Sequence, residues 1–324
     1  EILWTSGATE GDNLAIIGAA NQYARKGKHI ITMSTEHKAV LDTCDAMAKK
    51  GWDITILPVY TDGRVDPSHV KNATRDNTAL VAIMHANNEI GTIQPIAEIG
   101  SICRNSRATF LVDASQSYGK LPIDVETMQI DFLAATAHKI YGPKGIGLLY
   151  VKGKSPKLKM TTQITGGGHE YGLRSGTLPV HQIVGFGKAI EICDTMENEK
   201  MAILQKMLID GIVTAHPDVQ LNGSQEYRLG NNINISFPGL DAETLIIKMK
   251  GIACSTGSAC STTNLEPSHV LKAIALNNEM AHSSIRFSLG RFNTKEEILT
   301  AIEEIGCILS EMKDKSPRNL LILN

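Results

Sequence analysis

Short apolar runs rich in β-branched residues alternate with stretches of helical period through the first half of the chain. Ile2 to Thr5, His29 to Met33, Asp53 to Pro58, Ala79 to Met84, Phe110 to Val112 and Phe132 to Ala135 read as strands. Leu148 to Val151 reads as another, following the Gly-rich stretch YGPKGIG. Between them, Asn13 to Arg25 and about His37 to Lys50 carry the pattern of helices. This alternation predicts an α/β fold, with a mostly parallel sheet and helices on both faces. In such sheets ligands bind outside the carboxyl ends of the strands.

The second half reads differently. After the connector Gly166-Gly167-Gly168, one long helical region runs from about His181 to Ala215. Strand Ile233 to Phe237, helix Ala242 to Lys250, strand Ile285 to Ser288 and helix Thr294 to Met312 then suggest a smaller α+β domain. Ser255 to Asn264 is a polar run of small residues with no apolar period, the pattern of a mobile loop. The expected division is a large domain over 1–190 and a small one over 191–324.

Composition narrows the class. The chain has 324 residues, 42% hydrophobic and 20% charged, with a formal net charge of −2. No field of one sign suggests a nucleic-acid or membrane partner, and no apolar run approaches a membrane span. The six cysteines, Cys44, Cys103, Cys193, Cys254, Cys260 and Cys307, show neither CxxC nor zinc-finger spacing, which suits a reducing compartment. The first residues, Glu1 to Thr5, read as a buried strand, so the chain is expected to begin inside a domain, with any targeting peptide absent.

Polar residues cluster just after the strands. Ser6-Gly7-Ala8-Thr9-Glu10 opens a helix where backbone N–H groups and the helix dipole favour a phosphate; an ordinary strand–turn–helix with Thr9 as N-cap fits as well. The Walker pattern GxxxxGK[ST] is absent. Asp113, with Ser115 and Gln116, ends an apolar run, where a buried acid needs a cationic partner such as a protonated pyridine ring; a turn-forming Asp is the equal alternative. Lys139 lies between a strand and the Gly/Pro-rich turn, where a lowered pKa would suit a Schiff base; most lysines so placed are surface groups.

Taken together, SGATE, TEHKAVLD, NNEIG, VDASQS, AHKIYGPKG, RSGTLP, GSACS and SSIRFSLGRF closely resemble the motifs, in order, of the cysteine desulfurases of iron–sulfur cluster assembly. The resemblance spans essentially the whole chain. It implies the aminotransferase-like pyridoxal-phosphate fold (fold type I), pyridoxal 5'-phosphate as cofactor, and L-cysteine as substrate. Lys139 then matches the Schiff-base lysine and Asp113 the acid paired with the pyridinium nitrogen. His37 matches the histidine stacked on the ring, with an acid–base role in catalysis, and Gln116 and Asn88 match residues near its hydroxyl, Asn88 also near the substrate. Ala8, Thr9, Thr136, Ala137 and His138 match the phosphate cradle, and Thr177 a phosphate contact from the neighbouring subunit of a homodimer. Arg286 matches the fork for the substrate carboxylate. Cys260 matches the cysteine that takes the sulfur as a persulfide.

The same resemblance implies sulfur delivery to an iron–sulfur scaffold protein and to other acceptors, tRNA thiolation among their uses. It also implies a transient [2Fe-2S] cluster at the scaffold interface with Cys260 as a ligand. A bacterial cytoplasm fits, with a mitochondrial matrix as the alternative. Thr136-Ala137 replaces the Ser-Gly pair common in relatives. The family's N-terminal segment of several tens of residues is not present, and its usual tail is replaced after Lys315-Ser316-Pro317. A selenocysteine lyase or an aminotransferase of the same fold is the nearest rival, and a non-catalytic binding protein the more distant one. Cys254 reads as a buried structural thiol in a strand, and His29, His85 and His169 as satisfied core or loop histidines.

Overall fold

The apolar runs of the first half pair into one sheet. In the computed structural model, which describes residues 1–25, 27–153, 159–256 and 267–314, the strands are β1 (Ile2–Thr5), β2 (His29–Met33), β3 (Asp53–Leu57), β4 (Thr78–Ala82), β5 (Thr109–Asp113), β6 (Phe132–Thr136) and β7 (Gly147–Val151). Their order is β1-β7-β6-β5-β4-β2-β3. β2, β3, β4, β5 and β6 pair in parallel, and β7 is antiparallel to both β1 and β6. β7 therefore runs against all the others. The carboxyl ends of β1, β2, β4, β5 and β6 lie on one edge, where β7 begins.

β2, β4, β5 and β6 are buried along their full length. Alternate side chains enter two cores: Ile31, Val81, Phe110 and Leu133 on one face, Ile30, Leu80, Leu111 and Phe132 on the other. Each such side chain contributes about 1.5–3 kcal/mol of burial. Helix α1 (Ala8–Tyr23) covers the second face with α2 (Lys38–Ala48); α3 (Pro67–Ala73), α4 (Ile96–Ser106) and α5 (Val180–Glu191) complete this part of the chain. At Gly11 a Cβ would stand 3.2 Å from the Cβ of Ala134, so α1 lies tightly against β6.

α1 begins five residues earlier than its periodicity suggests. Its buried set, Gly11, Asp12, Leu14, Ala15, Ile16, Gly18, Ala19 and Ala20, wraps much of the helix and leaves little polar face for a pattern to show. The long helix expected from about His181 is instead two, α5 and α6 (Thr195–Ala215).

The remaining elements are β8 (Gln220–Leu221), β9 (Asn232–Ser236), α7 (Ala242–Lys248), α8 (His269–Ala273), α9 (Asn278–His282), β10 (Ser284–Ser288) and α10 (Lys295–Asp314). β8, β9 and β10 form an antiparallel sheet. Ile298, Ile305 and Leu309 of α10 share a core with Ile233, Ile235, Ile285 and Phe287. Cys254 lies outside any strand and is half-buried.

The chain divides into two units. The first comprises Glu1–Tyr60, Arg64–Asn87 and Ile93–Thr195; the second comprises Thr61–Gly63, Asn88–Thr92 and Met196–Asn324. No helix among the described residues is long and apolar enough to cross a membrane.

Candidate active site

In the first unit, the expected site residues follow successive strand ends. After β1 the chain turns at Gly7 and enters α1, whose N-cap has no side-chain bond. Gly11 N–H donates to the Gly7 carbonyl, so the first-turn N–H groups of Ala8, Thr9 and Glu10 precede the helical ladder. A Cβ on Gly147 would lie 2.6 Å from the Gly7 Cα, and one on Gly7 would lie 3.8 Å from Thr136 Oγ1. Glycines here bring the start of α1 close to the end of β6. Thr136 Oγ1 is 2.9 Å from His138 Nδ1. Burial, then the charges of Lys139 and Lys144, lower the His138 pKa. Ala137 is buried, whereas Thr9 and His138 are exposed. Helix N–H groups, two threonine hydroxyls and an imidazole form a donor set that suits a phosphate.

Asp113 ends β5 and is buried. Ser115 donates to its Oδ1 twice, through N–H at 2.8 Å and Oγ at 2.5 Å. Among the described residues, Oδ2 accepts nothing. A buried carboxylate with one oxygen saturated and the other open suits a protonated ring nitrogen. Gln116 is half-buried just beyond it. Lys139 follows β6 in a short 3₁₀ turn, Ala137–Ile140, and is exposed. His37 follows β2 and caps α2; its Nδ1 accepts from Ala39 N–H at 3.1 Å. That bond puts the proton of neutral His37 on Nε2. These residues fit pyridoxal phosphate, with donors for its phosphate, an acid for its nitrogen and an amine for its aldehyde.

Thr177 is exposed, between Arg174 and α5. It lines a recess of about 160 Å³ with Trp4, Thr5, Ser6 and Arg174. Arg174 Nε donates to Glu10 Oε1 at 2.8 Å, which ties this segment to the first turn of α1. Burial alone would raise the Glu10 pKa, but bonds from Arg174 and Ser6 outweigh it and the net shift is downward.

The other candidates belong to the second unit. Arg286, in β10, is half-buried, and its Nη1 donates to the Asn88 carbonyl at 3.0 Å. Asn232 Nδ2 donates to the same carbonyl at 3.1 Å. Arg286 also exchanges two backbone bonds with Ser255. On the other flank, Ser268 Oγ donates to Glu89 Oε2 at 2.5 Å and caps α8. Cys260 itself, as catalytic thiol and as cluster ligand, lies outside the described residues. Among those residues no cluster of His, Cys, Asp or Glu could hold a metal ion.

Several residues escaped the sequence pattern. Asp12 and Glu36 are fully buried in the first unit, and each has its pKa raised, first by burial and then by the charge of Asp113 in the case of Asp12. Glu36 accepts Met84 N–H at 2.6 Å. His85, expected to be a satisfied histidine, is buried with no hydrogen-bond partner for its Nδ1 among the described residues, and burial brings it down to about 4. Lys120 falls to about 8 through burial and then the charge of Lys139. The only hint in the sequence was an acid within the small, apolar run GDNLAIIGAA. His29 is a satisfied core histidine, with Thr78 and Thr55 hydroxyls each 2.8 Å from its ring nitrogens. His169 accepts Gly176 N–H within its loop.

The class-V aminotransferase family model matches residues 1–300. A cysteine desulfurase IscS from Photobacterium profundum is 51% identical over 320 residues, covering 98% of this chain and 79% of that relative. One from Pasteurella multocida is 52% identical with the same coverage. Among solved structures, a NifS-like protein superposes with a TM-score of 0.87 at 34% identity, over 96% of this chain and 82% of its own. SspA in complex with cysteine superposes with a TM-score of 0.80 at 38% identity, over 90% and 82%.

Proposed function

Since this chain belongs to the class-V aminotransferase family, as a pyridoxal-phosphate-dependent cysteine desulfurase that turns L-cysteine into L-alanine, we propose that Lys139, Asp113, His37, Arg286 and Cys260 carry that reaction. The observation that supports this most is the shared sheet edge. The α1 N-terminus, His37, Asp113 and Lys139 all follow carboxyl ends of strands in one sheet, where ligands of such sheets bind.

When bound, pyridoxal phosphate supplies an electron sink for negative charge at the substrate's α-carbon. The first turn of α1, with Thr9, Thr136, Ala137 and His138, would hold its phosphate, and Thr177 would add a contact from a second copy in a homodimer. Asp113 Oδ2 would accept a hydrogen bond from the ring nitrogen and favour its cationic form. His37 would stack on the ring and act in acid–base transfer. Gln116 and Asn88 would lie near the ring hydroxyl. Arg286 grips the substrate carboxylate with a planar fork that an ammonium lacks, and the Asn88 carbonyl steadies that fork. Lys139 takes the α-proton as a free amine. The Cys260 thiolate attacks the substrate sulfur, an S–S bond forms, the C–S bond breaks and its electrons stay with carbon. After protonation, alanine leaves and the persulfide remains for an acceptor.

Delivery to an iron–sulfur scaffold, with a transient [2Fe-2S] cargo on Cys260, and to acceptors serving tRNA thiolation completes this reading, in a bacterial cytoplasm. Peptide mass spectrometry after L-cysteine addition tests its central step. The Cys260 peptide should gain one sulfur, and Cys260→Ser should lose both that gain and alanine release while keeping the cofactor's absorbance. An unmodified Cys260 in protein releasing alanine would remove the thiol from its role.

A further inference from the structure

Three carboxyl groups of the first unit are buried and interact with one another electrostatically. Asp12 lies on the sheet-facing side of α1 and is 1% exposed; Glu36, after β2, is 0% exposed; Asp113, ending β5, is 5% exposed. Asp12 interacts electrostatically with both others, and Glu36 with Asp113. Backbone bonds tie the same edge together. Met84 N–H reaches Glu36 Oε1, and the next residue, His85, donates its N–H to the Asp113 carbonyl at 2.8 Å.

Three negative charges cannot share so dry a space. Which acid keeps the charge follows from the donors each one meets. Asp113 Oδ1 receives two bonds from Ser115. Glu36 Oε1 accepts Met84 N–H. Neither oxygen of Asp12 has a hydrogen-bond partner among the described residues. Donors stabilise a carboxylate, and their absence leaves burial to favour the neutral acid. The other titratable groups packed here do not reverse the order. Cys44 on α2 is pushed up to about 12, chiefly by burial, and burial holds His85 neutral.

We propose that Asp12 is a positioning residue for Asp113: with Glu36 it stands as an uncharged acid behind Asp113, so the cluster carries one negative charge and that charge faces the ring nitrogen. The inference rests on the reading that Asp113 pairs with that nitrogen. Its consequence is that the charge has one place to sit. An ionised Asp12 would offer the ring's positive charge a second, deeper counter-charge, and would repel the one on Asp113.

The test is a pH series of thermal unfolding on the holoenzyme. Native Asp12 keeps its proton, whereas the unfolded chain releases it above about pH 4. Wild-type stability therefore falls as pH rises from there toward the native titration. Asp12→Asn has no such proton. The Tm of Asp12→Asn minus that of wild type should grow by about 5 °C between pH 5 and pH 8. In an Asp113→Asn background the same change should produce a clearly smaller growth, because a neutral amide no longer repels charge on Asp12. A flat difference in the wild-type background would overturn the uncharged acid, and equal growth in both backgrounds would overturn its tie to Asp113. An unchanged cofactor spectrum in Asp113→Asn would instead sink the pairing of Asp113 with the ring, and with it Asp12's positioning role. Should Asp12→Asn not fold, Asp12→Ser carries the same series, with the same outcomes.

Discussion

The two units hold their candidate residues by different means. In the first, each group sits at the end of a sheet strand or a few residues past it, and the strand sets its position. Asp113 is the last residue of β5, and Lys139 lies three past the end of β6. In the second, Arg286 lies within β10 and is placed by paired backbone bonds to Ser255 and by the Asn88 carbonyl. Ser268 is fastened to Glu89 by a side-chain bond of 2.5 Å. One arrangement fixes reacting groups to a rigid sheet edge. The other fastens the two flanks of a segment. This suits a division of labour in which cofactor chemistry needs set distances, whereas sulfur transfer needs a thiol that serves first a substrate and then an acceptor.

Substitutions in the two units should therefore fail in distinguishable ways. Lys139→Ala should have the largest effect. In its proposed roles Lys139 supplies both the amine that meets the cofactor and the base for the α-proton, so alanine release should fall by roughly 10³-fold or more, and the absorbance of the lysine-linked cofactor should vanish. Retained absorbance with near-normal turnover would erase the contrast at its strongest point.

Arg286→Lys is the matching change in the second unit. It keeps the charge but loses the fork, and with it one charge-assisted bond. KM for L-cysteine should rise roughly 10-fold or more, with the cofactor's absorbance intact. A change in that absorbance without a rise in KM would show that Arg286 serves the cofactor and not the substrate.

The smallest effect concerns pH. Buried His85 titrates near 4 in the native state, against about 6.5 in an unfolded chain. Between those values the unfolded state binds more protons, so stability contributed by neutral His85 is lost as pH falls from about 6.5 toward 4. This runs opposite to the Asp12 effect. His85→Gln should flatten the acid side of the Tm profile by a few degrees and leave the alkaline side as it is. An unchanged acid limb would mean that His85 is protonated in the folded protein.

Much of the first unit was legible because parallel strands buried on both faces leave unbroken apolar runs, and the polar residues that end them stand out. Ile2 to Thr5, Phe110 to Val112 and Phe132 to Ala135 mark the places where Gly7, Asp113 and Lys139 must emerge. The start of α1 was not legible, since a helix buried around much of its circumference has no polar stripe. Nor was the break between α5 and α6, where a continuous helical period crosses two elements. Cys254 looked like strand because Ile252-Ala253-Cys254 is apolar, yet it pairs with no strand.

Without reaching the elements β8, α3, α4, α8 and α9, the sequence by itself determined the seven strands of the first half, the family motifs and the residue types that suit a phosphate, a ring nitrogen and a carboxylate. These are local properties, written in period and spacing. Only the tertiary structure decided the burial of Asp12 and Glu36, the open oxygen of Asp113 and the backbone ties of Arg286. Burial, donor count and mutual repulsion belong to groups far apart in the chain, and no local pattern encodes them.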